Sequence, residues 1–182
     1  MPLSIEKNNI TKMQTDAIVN AANERLAMGG GVCGAIFTAA GVKELTRACD
    51  AIGFCSTGDA VITPGFALPA RYIIHAVGPI WRGGHEREQE LLASCYDRSL
   101  ALAVENGINS IALPLISSGI YGMPKEIALS VAITQIRRFL DQNEMEVYLV
   151  LFNSADLPLA DDCRNRVEAE CAKLKTKQSQ FV

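Results

Sequence analysis

The chain has 182 residues, enough for one domain with a sizeable core, and its 49% hydrophobic against 20% charged residues exclude an intrinsically disordered protein. A formal net charge of −3 excludes a basic surface built to neutralise a long nucleic acid, whereas a small anionic ligand needs only a local site. Six scattered cysteines with no C-x-x-C, and only two histidines, fit neither a disulfide framework nor a metal site, so no metal is expected.

Apolar runs alternate with helical patterns, which predicts an α/β fold with a largely parallel sheet covered on both faces. Leu3-Ser4-Ile5 reads as a short opening strand and Ala17-Ile18-Val19 as the next, followed by a helix over 32–40. Asp59-Ala60-Val61-Ile62 adds a strand closed by the turn Thr63-Pro64-Gly65. Tyr72-Ile73-Ile74 leads to a helix over 86–105, Ile111-Ala112-Leu113 to one over 125–140, and the run 147–152 to one over 157–174. Nothing divides the chain, so residues 1–172 form one domain and the polar residues 173–182 a fraying tail. No opening signal pattern or bilayer-length apolar run is present, so no membrane partner is expected and the reducing cytoplasm is the expected compartment.

Two loops carry the chemistry. Asn20-Ala21-Ala22-Asn23 follows a strand and leads to Gly29-Gly30-Gly31-Val32-Cys33-Gly34, which runs into a helix start. Consecutive glycines let backbone N–H groups approach a ligand, and a helix N-terminus adds partial positive charge. A glycine turn used only for tight packing is the alternative. Ile116-Ser117-Ser118-Gly119-Ile120-Tyr121-Gly122 follows another strand, with Pro124 at the next helix start. Ligands of open parallel sheets bind outside the carboxyl ends of strands, so two such loops on neighbouring strands would face each other across one crevice and suit a pyrophosphate. Gly29, Gly31 and Gly34 also satisfy G-x-G-x-x-G with Asp50 downstream, but residues 20–28 intervene between strand and glycines, unlike a dinucleotide fold; no glycine precedes Lys-Ser or Lys-Thr, which excludes a P-loop. His75, inside an apolar strand, reads as a structural histidine and His85 as a surface residue; Glu86, Arg87, Glu88 and Glu90 read as the exposed first turn of a helix.

At these loops the sequence resembles the macrodomain family, in the branch of the MacroD-type hydrolases. Asn20-Ala21-Ala22-Asn23, the glycine run with Gly34-Ala35-Ile36, Gly58-Asp59-Ala60-Val61, His75-Ala76-Val77-Gly78-Pro79 and Ser118-Gly119-Ile120-Tyr121-Gly122 stand in family order over nearly the whole chain. The resemblance implies a three-layer α/β/α fold with a mixed, largely parallel central sheet, a cleft for ADP-ribose and no cofactor. It places Asn23 beside the distal ribose, Gly30, Gly31 and Val32 in the first phosphate loop, and Ser117, Ser118, Gly119, Ile120 and Tyr121 in the second, with Tyr121 over the distal ribose. Phe152 would pack on adenine, followed by Asn153, although core packing is its ordinary role. Asn9, beside Ile10, stands where many relatives have an aspartate that accepts from the adenine amino group, and its amide oxygen is expected to accept there instead. Ala21 completes the expected contacts.

Cys33 stands where the MacroD-type hydrolases have an aspartate thought to position or activate water. Asn23, Gly31 and Cys33 are thus the candidate catalytic residues, Cys33 either as a thiolate or as a small packing side chain. The implied function is release of ADP-ribose from a modified protein or from O-acetyl-ADP-ribose by a protein expected to be a monomer. A non-catalytic reader of ADP-ribosylated molecules is the alternative, and a phosphatase acting on ADP-ribose 1''-phosphate a third.

Overall fold

The computed structural model describes residues 3–179. Six strands, β1 (Ser4–Lys7), β2 (Ala17–Ala22), β3 (Ala60–Pro64), β4 (Tyr72–Val77), β5 (Ser110–Pro114) and β6 (Glu146–Leu151), form one sheet in the order β1-β6-β5-β2-β4-β3. All neighbours run parallel except β3, which pairs antiparallel with β4. The sheet is therefore mixed and mostly parallel.

The three layers follow from alternation within the strands. Successive side chains of a strand point to opposite faces. Val19, Ile74, Ile111, Leu113 and Leu149 enter one core with Leu92, Tyr96, Leu129 and Ile133. Their neighbours Ile18, Ile73, Ala112 and Val150 enter a second core with Ile36, Phe37, Leu45 and Cys49. The first core lies under α3 (Glu88–Glu105), α4 (Lys125–Leu140) and α5 (Leu157–Ser179), the second under α1 (Gly31–Ala40) and α2 (Val42–Ile52). Burial on both faces explains why the central strands read as unbroken apolar runs.

Two elements differ from the sequence reading. Helix α2 begins one residue after Gly41 ends α1, and only Leu45 and Cys49 of it are buried, so its face is marked by a single i, i+4 pair. Helix α5 continues to Ser179 through the polar stretch assigned to a tail, because Lys and Gln are good helix formers. Residues 180–182 of that tail lie outside the described residues.

Strands β5 and β2 are adjacent and parallel. The loops that leave their carboxyl ends consequently rise side by side, as the sequence reading required.

Candidate functional site

The first loop is organised around one carbonyl. Where the chain leaves β2, the Asn23 amide closes on the backbone of Ala27: its Nδ2 donates to Ala27 O at 2.8 Å and its Oδ1 accepts from Ala27 N at 3.1 Å. The Cys33 thiol reaches the same carbonyl at 3.7 Å and accepts from Gly29 N at 3.4 Å and from Asn20 Nδ2 at 3.7 Å. Asn23 and Cys33 thus grip one loop from two sides. Gly31 opens α1 with φ +57°, a conformation that favours glycine, and no atom lies within 4 Å of where its Cβ would stand. The first-turn N–H groups of α1 are free of intrahelical acceptors there and carry the positive end of the helix dipole.

Tyr96 fixes the root of the second loop. This fully buried residue of α3 donates its hydroxyl to Pro114 O at 2.9 Å and accepts from Ile116 N at 3.1 Å. Ser117 follows with φ +65°; it is only 6% exposed and packs so closely on Gly78 that a Cβ at Gly78 would stand 2.4 Å from Ser117 Oγ. Ser117 is thus packed into the loop, and its hydroxyl has no partner among the described residues. Ser118 Oγ donates back to Leu115 O at 2.8 Å, and Tyr121 O accepts from Trp81 N at 2.8 Å. The loops meet across the crevice at Ile120, 82% exposed, whose Cδ1 lies 3.2 Å from where a Gly30 Cβ would be.

A cavity opens at each end of these loops. One, of about 550 Å³ at the β2–β4 end, contains Asn23 and Tyr121 together with Glu24, Arg25, Thr57, Gly78, Ile80 and Arg82. The other, of about 570 Å³ at the β1–β6 end, contains Lys7, Asn8, Asn9, Phe152, Asn153 and Ser154. Phe152 is 92% exposed, which removes core packing as its role. Asn9 and Asn153 flank it as N-caps of short 3-10 turns. Ile10, Ala21 and Cys33 line neither cavity: Ile10 and Cys33 are buried, and Ala21 is half-buried within β2.

The Asn9 oxygen is not available as expected. It accepts from Thr11 N at 3.0 Å and from Thr11 Oγ1 at 2.7 Å, so its capping duty leaves the NH2 group unoccupied.

Glu88 corrects a second expectation. It is buried rather than part of an exposed turn, and its carboxylate gathers the N–H groups of Arg82, Gly84 and Glu86 at 2.7–3.0 Å. Burial opposes its ionisation, but these backbone N–H groups outweigh burial and bring its pKa to about 2. The segment that walls the β2–β4 cavity is thereby tied to α3. Glu24, missed in sequence although adjacent to Asn23, accepts at Oε1 from Thr57 N and Oγ1 at 3.1 and 2.9 Å.

His75 is structural, as read. It is fully buried between Asn20 Nδ2, 3.1 Å from its Nδ1, and Thr63 Oγ1, 2.9 Å from its Nε2. His85 is exposed. Among the described residues, no group of three or more His, Cys, Asp or Glu side chains could hold a metal ion, and no helix is long and apolar enough to cross a membrane.

The Macro domain family model matches residues 19–132. A Macro domain-containing protein of Methanosarcina mazei is 50% identical over 165 residues, covering 90% of this chain and 84% of the relative. The ADP-ribose glycohydrolase MACROD2 of Xenopus laevis is 49% identical over 154 residues, 82% of this chain but 36% of that longer protein. Among solved structures, the Oceanobacillus iheyensis macrodomain with ADP superposes with a TM-score of 0.85 at 40% identity, covering 90% of each chain. The Trypanosoma brucei macrodomain in complex with ADP-ribose gives 0.81 at 36% identity, over 88% of this chain and 68% of that one. With the two-cored mixed sheet and the paired loops at its carboxyl edge, these matches establish that the chain belongs to the macro domain family.

Proposed function

We propose that the chain binds ADP-ribose along the carboxyl edge of its sheet and hydrolyses it from a modified protein or from O-acetyl-ADP-ribose. The observation that carries this reading is linear order. A cavity with an exposed aromatic side chain lies at β1 and β6, two anion-suited loops leave β5 and β2, and a second cavity lies at β2 and β4. Four inter-strand steps span roughly 19 Å, a distance suited to a base, a diphosphate and a distal ribose laid end to end. The ADP and ADP-ribose held by the structural neighbours, and the glycohydrolase among the relatives, support the same reading.

In this reading the loop amides fix the diphosphate, and Asn23, clamped on Ala27, orients the distal ribose between its cavity and Tyr121. Water is positioned by the substrate's own phosphate oxygen and the loop backbone. The carboxylates that line the distal cavity are already engaged: Glu24 by Thr57, Glu86 by Arg82 and Glu88 by three amides. Catalysis by positioning alone makes the expected turnover modest.

The reader function has one observation in its favour. Cys33 is 4% exposed, with its thiol turned to Ala27, Gly29 and Asn20 rather than to a cavity. Incubation with an ADP-ribosylated protein and with O-acetyl-ADP-ribose, following ADP-ribose release, separates the two. Release that is lost in Asn23→Ala supports the hydrolase; tight ADP-ribose binding with no release from either substrate leaves the reader.

A further inference from the structure

The β1–β6 cavity has a consistent polarity. Phe152 offers a solvent-open apolar face, which is what stacking of an aromatic ring requires. Around it, every side-chain amide oxygen accepts from a backbone N–H, and that of Asn9 accepts two bonds and has no capacity left. Asn9 Oδ1 accepts from Thr11 N and Oγ1, Asn153 Oδ1 accepts from Ala155 N at 3.0 Å, and Asn8 Oδ1 accepts from Asn9 N at 2.8 Å while its Nδ2 donates to Glu6 at 2.9 Å. A backbone N–H can only donate, so turning any of these amides over would set NH2 against N–H; their orientation is fixed by chemistry. The unoccupied groups are therefore the NH2 of Asn9, the NH2 of Asn153 and the ammonium of Lys7. The oxygens of Asn8 and Asn153 and the Ser154 hydroxyl keep some accepting capacity, but Asn9 presents a donor alone.

Purines differ in how they answer such a wall. Adenine presents an amino donor at its 6-position, beside the N7 acceptor, whereas a 6-oxopurine presents two adjacent acceptors, O6 and N7. A donor opposite the adenine amino group leaves both unpaired, and a donor opposite O6 is satisfied. We infer that this cavity is a base subsite in which Asn9, with only its NH2 group to offer, relaxes or reverses the preference for adenine. Nucleoside diphosphate riboses with a 6-oxopurine base are then ligands of the same cleft. The inference rests on the proposal that the nucleotide end of ADP-ribose lies at this end of the cleft.

The test is calorimetric titration of the full chain and of Asn9→Asp with ADP-ribose and with inosine diphosphate ribose, its hypoxanthine counterpart. Aspartate keeps the cap on Thr11 and adds a free acceptor, so the variant retains its fold, which thermal melting checks. The unaltered chain binds the hypoxanthine ligand at least as tightly as ADP-ribose, and Asn9→Asp shifts the ratio toward adenine by roughly 10-fold, the factor expected of one exchanged hydrogen bond. An adenine preference that is present in the unaltered chain and unchanged by Asn9→Asp overturns the inference while leaving ADP-ribose binding intact. Failure of both ligands to bind at millimolar concentration overturns the ADP-ribose reading itself, and this inference with it.

Discussion

The buried imidazole of His75 makes a quantitative prediction about stability and pH. Asn20 Nδ2 donates to Nδ1 and Nε2–H donates to Thr63 Oγ1, so the neutral ring is satisfied on both sides. Burial lowers its pKa from 6.5 to about 4. Below pH 6.5 the unfolded chain takes up a proton that the folded chain refuses. The stability contributed by the neutral ring is therefore complete above pH 6.5 and is lost as pH falls toward 4. Each pKa unit corresponds to about 1.4 kcal/mol, so the full loss is about 3 kcal/mol over this window. Glu88 and Asp59, whose folded pKa values lie below their ordinary ones, destabilise the fold only at more acidic pH, so the upper part of the window belongs to His75. Urea unfolding at half-unit steps from pH 7.5 to 4.5 measures the slope. His75→Gln lowers stability at neutral pH and removes that slope. A variant that keeps the same pH dependence as the unaltered chain between pH 6.5 and 5 refutes the argument.

Substitutions at three further positions test the loops. Gly31→Glu costs roughly 1–2 kcal/mol of stability from its left-handed backbone but meets no neighbouring atom, so the protein folds and loses ADP-ribose affinity by ~100-fold or more in calorimetry; Gly31→Ala separates the strain from the charge. Tyr96→Phe leaves Pro114 O and Ile116 N without their buried partner, costing about 2 kcal/mol in urea unfolding and weakening ADP-ribose binding through the second loop. Cys33→Asp keeps the donors from Gly29 and Asn20 but sets a carboxylate toward Ala27 O; it lowers the thermal midpoint and raises ADP-ribose release by ~10-fold, whereas Cys33→Ala leaves release unchanged. An unchanged rate in a folded Cys33→Asp protein that still binds ADP-ribose counts against hydrolysis limited by the missing carboxylate.

The sequence carried the sheet well because burial on both faces writes itself as apolar runs, as in Tyr72–Val77, and because the range of α4, Lys125–Leu140, has a clear helical period. It hid α2, whose buried pair Leu45 and Cys49 is too sparse a period to stand out beside α1. For the site, the chain positions of Asn23, Tyr121 and Phe152 were legible as loop residues at strand ends. What each polar atom does was not. Glu88 stands in a run of charges and reads as solvated, yet three backbone N–H groups from residues 82–86 converge on it, a fact of loop shape that no residue spacing encodes. Ser117 reads as a loop ligand, and its close packing on Gly78, which follows β4 and is distant in sequence, was not legible.

One property recurs along the carboxyl edge. Asn9, Asn23, Ser118 and Asn153 each spend a polar atom on nearby backbone, and Cys33 does so with its thiol. Groups held in this way lose little conformational freedom when a ligand arrives, which favours affinity. The same commitments consume acceptors: the oxygen of Asn9 is filled by Thr11, that of Asn153 is half used by its cap, one oxygen of Glu24 is taken by Thr57, and the Glu88 carboxylate by amides. An edge whose remaining groups are mostly donors suits a diphosphate and an acceptor-rich base, but abstraction of a proton from water needs an acceptor. The proposed hydrolysis with slow turnover and the proposed tolerance of a 6-oxopurine are thus expected together, from one distribution of hydrogen-bonding capacity. An acceptor placed at Cys33 is expected to raise turnover without changing base choice, and one placed at Asn9 to change base choice without changing turnover, because Asn9 lines the β1–β6 cavity and Cys33 lies where the first loop opens α1.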